Sequence, residues 1–217
     1  MGLYHMGPPK RLVRLLKERL AIELFVETGT YYGNTSAWAA EYFTNVITFE
    51  ASPHFAEMAR SRFSGRNVRV IEGSSATELK PTLEANPGNA IFWLDAHWCG
   101  GMSAGNTSEC PFFDEMAAIN SRTNADVILL DDARYFLAPP PAPHDPAQWP
   151  TLSETVSKLE NGGRRYVVAI DDIFLAVPTE QRLYLVDQCQ LELKRRARRS
   201  FWAAKIAKFL KVPWQGR

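Results

Sequence analysis

Three cysteines in 217 residues (Cys99, Cys110 and Cys189) are too few, and odd in number, for a disulfide framework, which points to a reducing, cytoplasmic setting. No run of eighteen apolar residues is present, so no segment reads as membrane-spanning. The opening stretch, MGLYHMGPPKRLVRLLKERL, interleaves Arg and Lys with Leu instead of offering an apolar core, so it does not read as a secretory signal. Internal repeats, C-x-x-C pairs and the dinucleotide fingerprint G-x-G-x-x-G are all missing. What is there is ordinary globular composition, 46% hydrophobic and 23% charged, on a chain long enough to bury a sizeable core without staples.

The net charge of +1 hides an asymmetry. Residues 191–217 carry nine Lys or Arg against Glu192 alone, a net +8, which leaves residues 1–190 at −7. The segment from Lys194 to Lys211 has apolar residues at 201, 202, 206, 209 and 210 and reads as a basic amphipathic helix. Peripheral contact with a membrane surface is one use for it; packing on the acidic body or on a second copy of the chain is the other. Nucleic acid is not an expected partner, because no recognised binding module accompanies the tail. The chain therefore divides into an N-terminal amphipathic helix (1–22), a main domain (23–190) and the basic tail (191–217).

Within the main domain, short apolar runs alternate with helical patterns of about ten residues. Glu23–Glu27, Val46–Glu50, Val68–Ile71, Ala90–Asp95 and Val127–Asp131 read as buried strands. Lys10–Leu20, Asn34–Phe43, the stretch opened by Ser52-Pro53, Ala76–Ala85 and Phe112–Asn120 read as helices, and Thr151–Leu159 adds one more. That alternation specifies βαβ units: an α/β, doubly wound, mostly parallel Rossmann-like sheet with helices on both faces. Tyr166–Ile170 and Ile173–Val177 look like two strands meeting at Asp171-Asp172, a pair that suits either a hairpin turn or a metal site. The Pro-rich stretch 138–146 cannot join the sheet and is expected to form a loop or lid.

Acids recur at strand ends: Glu27, Glu50, Asp95, Asp131 and Asp132. Ligands of open α/β sheets bind along that edge. Gathering several carboxylates there is costly unless they hold cations or hydroxyl-rich ligands. The first loop, Glu27-Thr28-Gly29-Thr30-Tyr31-Tyr32-Gly33-Asn34-Thr35, has glycines that allow a tight turn and close backbone approach to a ligand. Glu50 follows Gly29 by twenty-one residues, the spacing of a carboxylate that receives two ribose hydroxyls. A pocket lined with acids suits a positively charged nucleoside better than a pyrophosphate.

The first loop, followed by Ile47-Thr-Phe-Glu50, resembles the first two motifs of the class I S-adenosylmethionine (SAM)-dependent methyltransferases. Phe92-Trp-Leu-Asp95-Ala-His97-Trp98 and Ile128-Leu-Leu-Asp131-Asp132 resemble the metal-dependent O-methyltransferases, a group that includes catechol O-methyltransferase and the macrolide and aminocoumarin sugar enzymes. The resemblance covers roughly residues 24–136, about half the chain. It implies SAM as cofactor, with Glu27, Thr28, Gly29, Thr30, Tyr31, Gly33, Asn34 and Thr35 against the methionine end. Glu50, Ala51 and Ser52 would meet the ribose, Gly73-Ser74-Ser75 the adenine, and Asp95 would join the cofactor site. It also implies a divalent cation, Mg²⁺, on Asp95, Asp131 and Asp132, with Asp132 where relatives often have Asn.

The expected activity is metal-assisted O-methylation of a hydroxyl on a small molecule or sugar, with Asp95 and His97 as the catalytic pair. His97 is the first candidate for the general base, because the ordinary pKa of an imidazole lies near working pH; relatives often place a Lys nearby, which this chain lacks, and a hydrogen-bonded structural histidine is the alternative. Zinc on His97, Cys99 and Cys110 would be a different site altogether, and Cys110 before Pro111 reads instead as a small buried residue. Gly100–Asn106 reads as a substrate loop. Arg134 reads as neutralising the aspartates, and Tyr135, Phe136 and Trp149 as a lid for a ring-bearing acceptor. Two rival functions share the fold: a non-catalytic binding or scaffold protein, and a metal-dependent oxidative enzyme.

Overall fold

In the computed structural model, residues 7–98 and 109–209 are described, with side chains to Arg195. The chain divides into two compact units, Met1–Thr179 and Glu180–Arg217. The first contains a seven-stranded sheet: β1 (Leu24–Thr28), β2 (Asn45–Glu50), β3 (Val68–Glu72), β4 (Ala90–Leu94), β5 (Val127–Leu130), β6 (Arg165–Ile170) and β7 (Ile173–Pro178). Their order across the sheet is β3-β2-β1-β4-β5-β7-β6, parallel throughout except that β7 runs antiparallel to both its neighbours.

The sequence explains which strands lie where. Every residue of β1, β4, β5 and β7 is buried, as expected of strands covered on both faces. β3 and β6, at the two edges, are only half-buried, and β3 carries Arg69 and Glu72, charges that discourage edge-to-edge pairing. One continuous core runs from Leu24 and Val26 through Phe92 and Ile128 to Phe174 and Trp149.

The helices are α1 (Lys10–Leu20), α2 (Asn34–Ala39), α3 (Pro53–Arg62), α4 (Ser75–Glu84), α5 (Phe112–Asn120), α6 (Arg134–Leu137) and α7 (Leu152–Glu160). α1 buries Leu12, Val13 and Leu16 and lays Lys10, Arg14 and Lys17 over the rings of Trp38, Tyr42 and Phe43, so its basic stripe rests on aromatic faces. α2 is shorter than its pattern suggests. After Ala39 the chain tightens, with the N–H groups of Glu41 and Tyr42 bonding three residues back, and Phe43 swings under Phe25 at 5.1 Å. The Asn67 amide collects the freed carbonyls of Ala40, Phe43 and Thr44. α7 opens with a reciprocal capping box between Thr151 and Glu154. Asp171 and Asp172 form the turn of the β6–β7 hairpin, as one of their two readings required, with Asp171 in the left-handed region at φ 54°.

The second unit contains α8 (Arg182–Phe209), which passes residue 191 without a break. Side chains beyond Arg195 and residues 210–217 lie outside the described residues, and with them most of the apolar stripe expected of the tail. Among the described residues no helix is long and apolar enough to cross a membrane.

Candidate active site

Strand order reverses between β1 and β4, and the C-terminal ends of those two strands frame the crevice where a doubly wound sheet takes its ligands. The Gly29 and Thr30 N–H groups bond to the Phe49 carbonyl at 3.0 and 3.1 Å, folding the first loop back over β2. Gly29 has φ +83°, and a Cβ there would collide with the carbonyl of Asp95. The glycine also lets the loop pack on the end of β4. Gly33, at φ +73°, caps α2, and a Cβ there would meet the Phe63 ring at 2.9 Å.

Glu50 ends β2 and is nearly buried. Its two carboxylate oxygens each accept one backbone N–H, from Tyr31 at 2.7 Å and Ser52 at 2.8 Å. A carboxylate offers about four acceptor positions, so two remain for two hydroxyls, the donor set a ribose presents. The fit to a nucleoside is therefore good. Tyr31 and Tyr32 are half exposed and form a ring cluster with Phe55 beside that carboxylate. Ala51 is exposed and Ser52 half-buried at the same turn.

Other members of the expected cofactor set face inward. Glu27 is 2% exposed and accepts hydrogen bonds from Ser36 and from Thr48, the latter at 2.7 Å; burial nonetheless pushes its carboxyl up to about 7, against those bonds and one from Thr35. Thr30 bonds to Thr48 at 2.6 Å, and Thr28 is fully buried. Asn34 accepts from Arg62 at 3.0 Å. Gly73 donates its N–H to the Glu50 carbonyl at 2.9 Å, which places the third loop beside the second, and Ser74 caps α4. Ser75 donates at 2.6 Å to Glu115, a buried acid of α5 that the sequence reading did not single out. Burial raises Glu115, with Ser75 and Thr28 opposing.

The expected magnesium site on Asp95, Asp131 and Asp132 is not shown. Among the described residues no group of three or more His, Cys, Asp or Glu side chains is arranged to hold a metal ion. Asp132 gives one oxygen to His97 Nε2 at 2.6 Å and the other to Arg134 Nη1 at 2.5 Å, while Asp131 Oδ1 accepts the Asp132 N–H at 2.8 Å. Burial would raise Asp132, but the hydrogen bond and charge of His97 and the Arg134 guanidinium outweigh it and hold the carboxyl low. Asp131 is pushed up to about 7 by burial and by the charge of Asp132. Burial also raises Asp95 well above the usual carboxylate range, with His97 opposing. As arranged, these residues do not fit a three-aspartate cation site.

His97 is enclosed. Its side chain is 2% exposed and meets the rings of Trp149, Tyr135 and Phe136 at 5.5, 6.4 and 6.4 Å. With Asp132 ionised and able only to accept, Nε2 carries the proton. Asp95 Oδ1 is 3.9 Å from the same nitrogen, too far for a hydrogen bond. Phe136 and Trp149 are core residues and not the open lid expected of them. The Trp149 indole donates to Glu109 at 2.7 Å, and Glu109 also accepts from the Asp145 N–H at 3.0 Å and pairs with His144 at 3.1 Å, so one buried carboxylate fastens the Pro-rich segment. Cys110 is mostly buried, its thiol pushed up to about 12 by burial. Cys99 and the Gly100–Asn106 loop lie outside the described residues. A separate hollow of about 370 Å³ at the opposite end of the strands, between Glu23, Asn45 and Asn86–Asn89, holds none of these groups.

No family model and no curated protein sequence matches the chain. Solved structures do. An O-methyltransferase from Bacillus cereus in complex with SAH is 19% identical, with a TM-score of 0.57 over 81% of this chain and 84% of that one. This is the O-methyltransferase fold. TomG, an O-methyltransferase from Streptomyces achromogenes involved in tomaymycin synthesis and solved with SAM, shares that fold at 22% identity and a TM-score of 0.51, covering 82% of each chain. The SAH-bound methyltransferase PaMTH1 of Podospora anserina shares it at 18% identity and a TM-score of 0.53, covering 80% of each. In the methyltransferase fold seen here, the crevice between β1 and β4 is where the candidate residues gather.

Proposed function

We propose that the protein is a SAM-dependent O-methyltransferase acting on a hydroxyl of a small molecule or sugar. The observation that carries the reading is Glu50, a carboxylate fixed by two backbone N–H groups with two acceptor positions left over, beside the strand-order reversal. The SAM- and SAH-bound structures that share the fold support it.

Glu50 would hold the ribose hydroxyls, with Gly73-Ser74-Ser75 near the adenine and the Gly29–Gly33 turn near the methionine end. SAM, when bound, supplies an electrophilic methyl group on a sulfonium. Asp95 would take the acceptor's proton: its side chain is 31% exposed, against 17% for Asp132 and 16% for Asp172. His97 then acts behind Asp95, held by Asp132, as a positioning residue. Alignment in a closed site can contribute ~7–11 kcal/mol, so the protein need supply little more.

The test is calorimetric titration of the whole chain with SAM and SAH, followed by methyl-labelled SAM offered with a panel of phenols, catechols and sugars. Micromolar binding and label on a hydroxyl are expected. Absence of SAM and SAH binding would leave the scaffold reading in its place.

A further inference from the structure

An aspartate after β5 and one in the β6–β7 turn are bridged by one of the chain's own cations. Arg134, the first residue of α6, places Nη1 against Asp132 Oδ1 at 2.5 Å and against Asp172 Oδ2 in the β6–β7 turn. The turn also grips the backbone there: Asp172 Oδ1 accepts the Arg134 N–H at 3.0 Å, and its carbonyl accepts the Ala133 N–H at 2.8 Å. The guanidinium lies over the Tyr135 ring at 4.4 Å, so its plane as well as its charge is fixed. On the far side His97 takes the remaining oxygen of Asp132. The result is an unbroken chain, His97–Asp132–Arg134–Asp172, built from three separate loops.

We infer that Arg134 occupies the role a divalent cation would have in this site, so that the chain binds SAM, and does its chemistry, with no metal. The inference rests on the methyltransferase reading above. A metal ion entering between Asp131 and Asp132 would have to displace two hydrogen-bond donors from Asp132 and approach a fixed guanidinium of like charge. Asp131 Oδ1 is already engaged by a backbone N–H. Asp132, at one end of the bridge, and Asp171, the neighbour of Asp172 at the other, both hold left-handed backbone, at φ 53° and 54°.

The test uses the whole chain, Mn²⁺ as a spectroscopic probe and SAM. Wild-type protein is expected to leave the free Mn²⁺ signal unchanged at millimolar metal and to bind SAM with the same Kd, within twofold, in EDTA and in Mn²⁺. Arg134→Met is expected to lower Tm and to gain stoichiometric Mn²⁺ binding on the carboxylates it uncovers, and Arg134→Lys to restore the wild-type behaviour in part. Stoichiometric Mn²⁺ on the wild type, lost in Asp131→Asn, overturns the inference, as does a tenfold weaker SAM Kd in EDTA. An Arg134→Met protein that matches wild type in both Tm and metal indifference overturns the part given to the guanidinium. Should SAM bind to none of the samples, the methyltransferase reading fails, while the metal titration still decides the charge bridge.

Discussion

The Asp95 N–H donates to both the carbonyl oxygen and the hydroxyl of Thr28, at 3.1 and 3.2 Å. That forked bond ties the last residue of β1 to the residue after β4 at the point where strand order reverses, and it sets the width of the crevice. Gly29, next to Thr28, lies flat against the same Asp95 peptide.

Gly29→Ala is therefore expected to be costly. The new methyl group would strike the Asp95 carbonyl, and a residue with a Cβ is unfavourable at φ +83°. Together these predict a loss of about 2 kcal/mol or more and a Tm lower by roughly 5–8 °C, read by thermal melting. SAM affinity should fall with it, because the loop cannot keep its seat on β4.

Glu50→Gln leaves the fold intact and weakens the nucleoside site. The amide keeps an acceptor oxygen for one of the Tyr31 and Ser52 N–H groups and turns a donor toward the other. Losing hydrogen bonds to a charged group predicts ~10–100-fold weaker SAM binding by calorimetry, and the unsatisfied N–H a cost of about 1–3 kcal/mol that lowers Tm.

The pH dependence of stability carries a signature of Glu27. Its folded carboxyl titrates at about 7, against an ordinary value of 4.5. The folded state thus holds its proton after the unfolded chain has released one, so stability falls as pH rises from about 4.5 to 7. Glu27→Gln removes that loss, worth roughly 3 kcal/mol at full burial. The difference in Tm between variant and wild type should grow in the variant's favour across that window. Asp131, also near 7, shifts both proteins alike.

Glu109→Ala strips the Trp149 indole, the Asp145 N–H and His144 of one shared partner. The expected cost is about 2–4 kcal/mol, because buried donors are left unsatisfied. Limited proteolysis should then cut within residues 138–149, which the wild type protects.

The central sheet was legible in the sequence because its strands are short, mostly apolar and carry an acid at or just past the C-terminal end; β1, β2, β4 and β5 stand within a residue or so of their expected positions. The helix of Lys10–Leu20 was legible from its leucine spacing. What could not be read was any contact made between distant loops. Arg134 and Asp172 lie thirty-eight residues apart, and nothing local indicates that the hairpin turn reaches the end of β5. The neutralising role of Arg134 was visible in its place beside two aspartates, but its second partner was not. His97 stands out for its intrinsic basicity, whereas the aromatic rings that enclose it, Tyr135, Phe136 and Trp149, lie 38 to 52 residues on. Glu115 and Glu109 were overlooked because a single acid on a helix or before a proline looks like surface until burial is known.

The position of β7 bears on how the molecule is made. The strand that completes β5, Ile173–Pro178, follows it by more than forty residues, after α6, the Pro-rich segment, α7 and β6 have been added. A chain emerging from the ribosome in order exposes Val127–Leu130 as a bare apolar edge until that late hairpin arrives, and leaves Arg134 without its Asp172 until the same moment. Barrier against aggregation and charge balance of the site are thus delivered together, by the last strand of the sheet to be synthesised.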